Sequence, residues 1–531
     1  MLEEGGCDFG RIGGSPNIDL GNTKLHVVSG VLYVATVCVL AGVFRGQRRQ
    51  GGIFVKDEQH EVWRLLTLMS DMHLSPREYK LAVLTLVFLK LLSDLFEARS
   101  RVMDAGFRGS RLVEQRLFYE MENIFWIPRG SRFPVVLAKA WSPAFPQILS
   151  RAVRRLEAAN PSLRNVLFRD FPQLESSPAQ LRALAEQIGG IDFASIGGAP
   201  REAFGEICDY LLSSVARAEG MVGNGFHTPL PVARLLVEIL KPQQDPALGG
   251  RVRVYDPCCG AGEVLVQVKR FFEDHGGPSN ALQLNGQTSS FATWQMCRMN
   301  LEGRGIEADI RMSLAGENKF GDLRANFILS NLMFITSVSG EGWTSSDTTM
   351  TDQESQVGVH CAWLNGTHEQ LSEHGKSGTV SAECVERESR PGDREALKSL
   401  VHDDSLECVI ALPEGLFVGP QIPACAWFTS RDKKPGPNGS MDRTDQILFI
   451  NARNLASNRL SRTQVEFTDG DLRTISGIYR RWRGTADSRG LAYENIPGFC
   501  YAATIDEIAR RDYILSPSRY VGADRGRATL G

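Results

Sequence analysis

The sequence predicts an α/β domain with a central, mostly parallel sheet and helices on both faces, preceded by an α-helical domain. Apolar residues recur at helical spacing from about residue 62 to residue 218, and from residue 252 short apolar runs alternate with apolar helices. A glycine-rich turn follows the first of these runs. The order strand, helix, strand, helix, strand implies parallel strands joined by right-handed crossovers.

The helical domain is predicted from apolar residues at i, i+3, i+4 and i+7. Ser75 and Pro76 predict the start of one helix, with a capping hydroxyl followed by a proline in the first turn. No pattern typical of a cofactor site occurs among these apolar stripes, which we interpret as core. The predicted helical stretches are 62–68, 81–96, 148–159, 179–188 and 203–218.

The α/β domain is predicted from three strands and the helices between them. The strands are 252–256, 282–285 and 325–330, and the helices are 264–272 and 292–301. Two further apolar runs, 408–412 and 447–450, predict additional buried strands. Residues 337–404 are rich in Ser, Thr, Glu and Gly, so we expect part of this stretch to be a mobile loop. The turn-rich string at 433–443 predicts a surface connector.

An uncharged apolar run, residues 27–44, lies near the start of the chain and is followed by three arginines. A run of this length is at the short end of what spans a bilayer, and the arginines would hold the rest of the chain in the cytoplasm. A membrane anchor and an accessory extension are both open, and we favour the extension and a cytoplasmic location. The predicted segments are an extension (1–60), the helical domain (61–220), the α/β domain (221–450) and a C-terminal helical docking segment (451–531).

Composition narrows the class of function. The chain of 531 residues has 59 Lys and Arg against 62 Asp and Glu, so any contact with nucleic acid must come from a local patch or a partner chain. Its 11 cysteines include no CxxC pair, which disfavours a disulfide framework or a zinc ribbon and fits a reducing compartment. A basic run in the helical region consists of Lys80, Lys90, Arg99, Arg101, Arg108 and Arg111.

Two motifs carry the candidate chemistry. The string DPCCGAG begins at Asp256 and contains Gly260 and Gly262, and such a turn between strand and helix lets backbone N–H groups approach a ligand. The string NLMF begins at Asn331 and ends at Phe334, after another predicted strand. An asparagine amide oxygen and the next carbonyl can accept both protons of an exocyclic amine, while the aromatic ring stacks on the base. Ligands bind at the carboxyl ends of parallel strands, where both motifs are placed.

Longer strings carry a resemblance to a known family. LSPREYKLAVLTLVFLKLLSDLFEAR (74–99) resembles the opening helices of the modification (M) subunits of type I restriction-modification systems, which are adenine-specific DNA methyltransferases. AEGMVGNGFHTP (218–229) is similar to the GEFYTP motif of that family, with His227 in place of the tyrosine, and DPCCGAG is similar to its DPxCGSG loop. Residues 409–428 and 493–522 also match at long strings typical of the family.

The resemblance implies a Rossmann-like methyltransferase fold, S-adenosylmethionine as the methyl donor, and direct transfer to the amino nitrogen of an adenine flipped out of DNA. It also implies DNA, a specificity subunit and a restriction subunit as partners, with two M subunits per specificity subunit. Asn331 would hold the amino group and Phe334 would stack on the base. The implied cofactor-binding residues are Phe226, Thr228, Asp256, Gly260, Gly262 and Thr288.

Several positions depart from the motifs of the family. Its NPPF is NLMF here, so Leu332 and Met333 replace prolines that would preset the loop. The acid that grips the ribose hydroxyls is replaced by Thr288, and hydrogen bonds to charged groups are worth about 1.5–3 kcal/mol. A further acid, near the adenine end of the cofactor, is absent at 312–314, unless Glu317 replaces it. These departures predict weak cofactor binding and slow transfer.

Two other classes of function remain open at this point. A methyltransferase-fold scaffold could bind DNA or other subunits without catalysis, and the replaced prolines and Thr288 favour it. Methylation of a protein glutamine uses a similar loop, but the long helical domain and the C-terminal match argue against it. Calorimetry with S-adenosylmethionine separates enzyme from scaffold, because a scaffold need not bind it.

Overall fold

The computed structural model describes most of the chain from residue 76 onward. The described ranges are 76–106, 115–174, 176–193, 200–219, 227–243, 250–313, 318–333, 356–382, 391–417, 423–437, 439–456, 458–459, 464–485, 488 and 491–522. The apolar run 27–44, the helical stretch 62–68 and Ser75 lie outside them. All described residues belong to one compact unit, Phe54–Gly531. None of the helices in these ranges combines the length and apolar character that a membrane span requires.

The first part of the described chain is helical, which confirms the predicted stretches from residue 81 onward. Helix α1 begins at Pro76, as the proline in its first turn predicts. Residues 86–89 are all buried, so α1 runs through the middle of this region. Phe96 of α1 stacks on Tyr119, with ring centroids 4.4 Å apart. The helices are α1 (Pro76–Gly106), α2 (Leu117–Glu120), α3 (Phe133–Leu137), α4 (Phe145–Ala159), α5 (Pro178–Gly189) and α6 (Pro200–Glu219).

A mostly parallel sheet follows, as predicted. The strands are β1 (Val252–Asp256), β2 (Leu282–Thr288), β3 (Asp309–Met312), β4 (Ala325–Asn331), β5 (Leu371–Ala382), β6 (Leu406–Ala411), β7 (Ala424–Ser430), β8 (Gln446–Asn451), the two-residue strands β9 (Asn458–Arg459) and β10 (Val465–Glu466), and β11 (Cys500–Thr504). In the described residues the main sheet has the order β11-β8-β6-β7-β5-β4-β1-β2-β3, and β9 pairs with β10 separately. Within the main sheet β7 and β11 run antiparallel to their neighbours, and the other pairings are parallel.

Helices cover both faces of the sheet. On one face, Ala426 and Phe428 of β7 join a core with α7 (Leu230–Leu240), α8 (Glu263–Asp274) and α12 (Asp469–Arg483). On the other face, Cys425 and Trp427 of the same strand join a core with α10 (Gln356–Glu369) and α11 (Pro391–His402). Strands buried on both faces are apolar throughout rather than alternating, which is why their sequences read as short continuous runs. Two short helices, α13 (Ile505–Ala509) and α14 (Ser518–Val521), complete the second face.

Helix α9 (Phe291–Gly303) packs the helical region against the sheet. Its Met296 and Met299 belong to the core of the helical region, whereas its Cys297 belongs to the core under the sheet. The side chain of Gln295 donates to the carbonyl of Leu167 across 3.3 Å. One helix therefore contributes to two cores, which fixes the helical region beside the glycine-rich loop.

The stretch 337–404, expected to be in part a mobile loop, consists largely of regular structure in its described residues, 356–382 and 391–404. The segment contains α10, α11 and β5, which lies inside the sheet between β4 and β7. The strand escaped prediction because its buried positions are polar: Ser377 and Thr379 are fully buried, and the Ser377 hydroxyl hydrogen-bonds that of Thr429 at 2.7 Å. Thr429 is thus a partner for Ser377, whereas the buried hydroxyl of Thr379 has none among the described residues. Single-sequence patterns do not show which buried polar side chains the tertiary fold pairs.

Two lysines of predicted surface features are buried in the structure, although most of the other described residues of the connector 433–443 are exposed, as predicted. Lys433, the first residue of the expected surface connector, pairs with Asp404, and its ammonium donates to backbone carbonyls at the start of β6 and β8. Lys90, part of the basic run, is also buried and pairs with Asp94 one helical turn away. A buried lysine needs such acceptors to offset its lost hydration. Neither ammonium is free to contact DNA.

Candidate active site

The candidate residues of the sheet lie at the carboxyl ends of neighbouring parallel strands. Asp256 ends β1, Thr288 ends β2, Met312 ends β3 and Asn331 ends β4. The strand order β4-β1-β2-β3 places Asp256 between the other ends, with Thr288 on one side and Asn331 on the other. This edge is where α/β sheets bind ligands.

The loop after β1 is a tight turn built around two glycines. Gly260 has φ of 53° and Gly262 has φ of 90°, values that side chains other than glycine disfavour. A Cβ at Gly262 would also lie 3.1 Å from the Sγ of Cys297 in α9. The amide of Cys259 donates to the carbonyl of Gln287 on β2 at 3.0 Å, which ties the loop to the neighbouring strand. These constraints hold the loop between β1 and the start of α8 in one backbone conformation.

Asp256 is a buried carboxylate with partners on one oxygen. Its Oδ1 accepts from the hydroxyl of Ser330 at 2.7 Å and from the amide of Cys258 at 3.0 Å. Burial raises the pKa of Asp256 to about 7, these two hydrogen bonds oppose the rise, and the nearby charge of Glu263 adds to it. A cation placed beside Asp256 would lower this pKa again and favour the charged form.

Asn331 is buried, and both ends of its amide are engaged. Its Nδ2 donates to the hydroxyl of Thr228 at 3.3 Å, and its Oδ1 accepts from the backbone amide of Met333 at 3.2 Å. The amide of Leu332 donates to the carbonyl of Val380 on β5 at 2.7 Å. The start of the NLMF motif is thus held by β5 on one side and by the segment before α7 on the other.

Thr288 lies at the end of β2, at the position where the family motif has an acid. Its side chain is buried, and its carbonyl accepts from the amide of Ser313 at 2.9 Å. Gln287 beside it accepts from the amide of Lys319 through its Oε1 at 3.1 Å. In the described part of this strand end, hydroxyl and amide groups replace the acids of the family motifs.

Some predicted site residues cannot be placed. Phe226, Phe334 and Glu317 lie outside the described residues. The structure does bring together Thr228 and Asn331, which share a hydrogen bond. Asp256 joins them through Ser330, the residue before Asn331. The assignment of the predicted site residues to cofactor and base stays a prediction.

Two polar residues near the loop were not predicted as site residues from the sequence. Oε1 of Glu263, the first residue of α8, lies 2.8 Å from Nδ1 of His227, within hydrogen-bond distance. The other ring nitrogen of His227 lies 3.2 Å from the hydroxyl of Ser213 on α6. An acid at the start of a helix is common for reasons of helix stability alone, so the sequence carried no distinguishing signal.

Comparisons with known proteins agree with this geometry. Residues 199–528, more than half of the chain, match the N-6 DNA Methylase family. The chain belongs to the N-6 DNA methylase family. Residues 59–188 match the HsdM N-terminal domain. The resemblance drawn from the sequence motifs is confirmed, and so is the expectation of a methyltransferase of the M-subunit type.

Individual relatives give the same result. The chain is 27% identical over 498 residues to the methylase subunit of the type I restriction enzyme MjaIX from Methanocaldococcus jannaschii, covering 87% of this chain and 84% of the relative. It is 32% identical over 331 residues to the HindI methylase subunit from Haemophilus influenzae, covering 61% and 69%. The crystal structure of a type I methyltransferase subunit from Streptococcus thermophilus has a TM-score of 0.65 at 20% identity, covering 88% of this chain and 99% of that one. This likeness confirms the fold.

Proposed function

We propose that the chain transfers a methyl group from S-adenosylmethionine to the N6 amino group of adenine in DNA, as the modification subunit of a type I restriction-modification system. The observation that carries the proposal is the joining of two motifs at one sheet edge. Ser330 donates to Asp256 of the glycine-rich loop and is followed directly by Asn331 of the NLMF motif. A methyl donor bound at the loop would therefore lie next to an adenine amino group held by Asn331.

The loop fits the methionine end of S-adenosylmethionine. Positive φ at Gly260 and Gly262 leaves the backbone open to close approach, and the start of α8 favours a carboxylate. Thr228, and by resemblance Phe226, would line this end, while Thr288 would face the ribose. When bound, S-adenosylmethionine supplies an electrophilic methyl group. The chain itself supplies orientation and the exclusion of water.

In the proposed reaction, Asn331 is the residue that holds the adenine. Its Oδ1 and the carbonyl of Leu332 would accept the two protons of the amino group, which keeps the nitrogen lone pair directed at the methyl donor. Phe334 would stack on the base. In the present structure Oδ1 already accepts from the amide of Met333, so an adenine amino group must share this oxygen with that amide. This competition supports slow transfer.

The proposed partners are DNA, a specificity subunit and a restriction subunit, with two M subunits per specificity subunit. The overall charge of −3 supports a chain that relies on a partner to read the bases. The basic run of the helical region supports DNA contact less than its sequence indicated, because Lys90 is buried and Arg99 pairs with Glu122. We also propose a cytoplasmic location, because the proposed substrate is DNA and the DNA of bacteria and archaea lies in the cytoplasm.

The proposal is tested by methyl transfer in a complex of the chain with its specificity subunit. Labelled S-adenosylmethionine and DNA containing the target should yield labelled N6-methyladenine after digestion to nucleosides. Asn331→Ala should remove the label, whereas Asn280→Ala, at an exposed position before β2, should not. Label recovered in protein instead of DNA would contradict the proposal, as would cofactor binding without any transfer.

A further inference from the structure

A chain of three polar side chains reaches the glycine-rich loop from the helical region. Ser213 of α6 lies 3.2 Å from Nε2 of His227, and Nδ1 of His227 lies 2.8 Å from Oε1 of Glu263. The side chains of His227 and Glu263 are 11% and 7% exposed. His227 stands where the family motif carries tyrosine. The histidine therefore holds one oxygen of a nearly buried carboxylate.

The second oxygen of that carboxylate is unsatisfied. Among the described residues, Oε2 of Glu263 has no hydrogen-bond donor although it is buried. Glu263 directly follows Gly262, so this oxygen belongs to the loop that carries the candidate cofactor site. A buried acceptor on an ionised group is costly to leave unpaired. A cationic ligand group at the loop would satisfy it.

A purely structural role explains the arrangement less well. An acid in the first turn of a helix stabilises that helix through its dipole, usually while exposed to solvent. Here the side chain is turned inward, is held by a histidine, and lies close enough to Asp256 for its charge to raise the pKa of that residue. Two acids at one buried loop repel each other unless one of them is protonated or a positive charge lies beside them, and a cationic ligand group would supply that charge.

We propose that Glu263 binds the α-ammonium group at the methionine end of S-adenosylmethionine, and that His227, held by Ser213, positions the carboxylate for this contact. The assignment rests on the proposed function, because it requires that donor at the loop. It makes Glu263 a cofactor-binding residue and His227 a positioning residue. The His227–Glu263 pair then accounts for the histidine that replaces the tyrosine of the family motif.

The test compares two ligands that differ only in the ammonium group. S-Adenosylhomocysteine and its deamino analogue are titrated into the full chain by calorimetry, which needs no turnover. We expect the wild-type chain to prefer S-adenosylhomocysteine by about tenfold, since the contact is charge-assisted. Glu263→Gln should reduce the preference to about twofold by weakening only the ligand with the ammonium. His227→Phe should also reduce this preference for S-adenosylhomocysteine, but by a smaller factor.

A matched control lies on the same helix. Glu273→Gln removes an acid from the exposed end of α8 and should leave the preference unchanged. Thermal unfolding of each variant establishes that it is folded. Equal weakening of both ligands by Glu263→Gln, or an unchanged preference, overturns the assignment and leaves the proposed function in place. A wild-type chain that binds neither ligand contradicts both the assignment and the proposed function.

Discussion

The backbone amide of Met333 donates to Oδ1 of Asn331 across 3.2 Å. In the family motif that this loop resembles, the corresponding position is proline, which has no N–H to donate. The acceptor that would hold the adenine amino group thus already accepts one hydrogen bond from the chain itself, and adenine must compete with that donor. Replacement of this proline has a local chemical consequence beyond a loss of loop stiffness.

Met333→Pro should speed transfer, because it removes the competing donor. We expect turnover to rise about fivefold, the effect of one hydrogen bond of about 1 kcal/mol, with little change in cofactor affinity. Single-turnover transfer to DNA, with calorimetry for binding, measures both quantities. Met333→Ala is the matched control, since it alters the side chain but keeps the N–H. Equal rates for the proline and alanine variants would show that the hydrogen bond does not limit transfer.

Leu332→Pro should act on stability instead. The amide of Leu332 donates to the carbonyl of Val380 at 2.7 Å, so proline deletes a bond that anchors the loop to β5. We expect a loss of about 1 kcal/mol in the free energy of unfolding, measured by urea denaturation. Leu332→Ala keeps the donor and reports the loss of the side chain alone. A proline variant at least as stable as the alanine variant would contradict the role of this bond.

Thr288→Glu should strengthen cofactor binding. Thr288 is buried at the end of β2, and a carboxylate there could accept from both ribose hydroxyls. We expect affinity for S-adenosylhomocysteine to rise about tenfold. Thr288→Gln, of equal size but uncharged, should give a smaller gain. Calorimetry that finds no gain with either variant would place the ribose away from this strand end.

Asp256→Asn should stabilise the chain at neutral and higher pH. Burial raises the pKa of Asp256 to about 7 from an ordinary value of 3.8, so the folded chain binds the proton more tightly than the unfolded chain does. Stability therefore falls as pH rises from about 4 to about 7, and the charged form is the unfavourable one. The gain from asparagine should be about 4 kcal/mol at pH 8 and near zero at pH 4. Denaturation at both pH values measures it, and a gain independent of pH would contradict the account.

Lys376→Met should also stabilise the chain. Lys376 is buried on β5, and burial lowers its pKa to about 8, with Glu407 opposing the shift and Arg483 adding to it. Because the folded pKa is lowered, the cost of the charged form is present at pH 7 and is relieved as pH rises through 8. We expect a gain of about 3 kcal/mol at pH 7 that shrinks by pH 10. Lys434→Met, at an exposed position, serves as control. A destabilised Lys376→Met at pH 7 would show that Glu407 depends on this ammonium.

The sequence predicts the apolar strands and the sheet edge that holds the site, because β1 and β4 are short apolar runs ending in Asp256 and Asn331. It does not predict β5, whose buried positions include polar residues such as Ser377, which pairs with Thr429 far along the chain. The His227–Glu263 pairing is missed for the same reason, since it joins positions that only the tertiary fold brings together. Hydrogen-bond partners across the fold have no signature in a single sequence.

The central claim is that Asn331 acts on adenine while the glycine-rich loop holds the donor. The most direct measurement compares wild-type chain and Asn331→Ala, each with its specificity subunit, for S-adenosylhomocysteine affinity and for methyl transfer to DNA. The account predicts equal affinities, slow formation of N6-methyladenine by the wild type, and none by the variant. Unchanged transfer by Asn331→Ala, or loss of cofactor binding together with transfer, would contradict it.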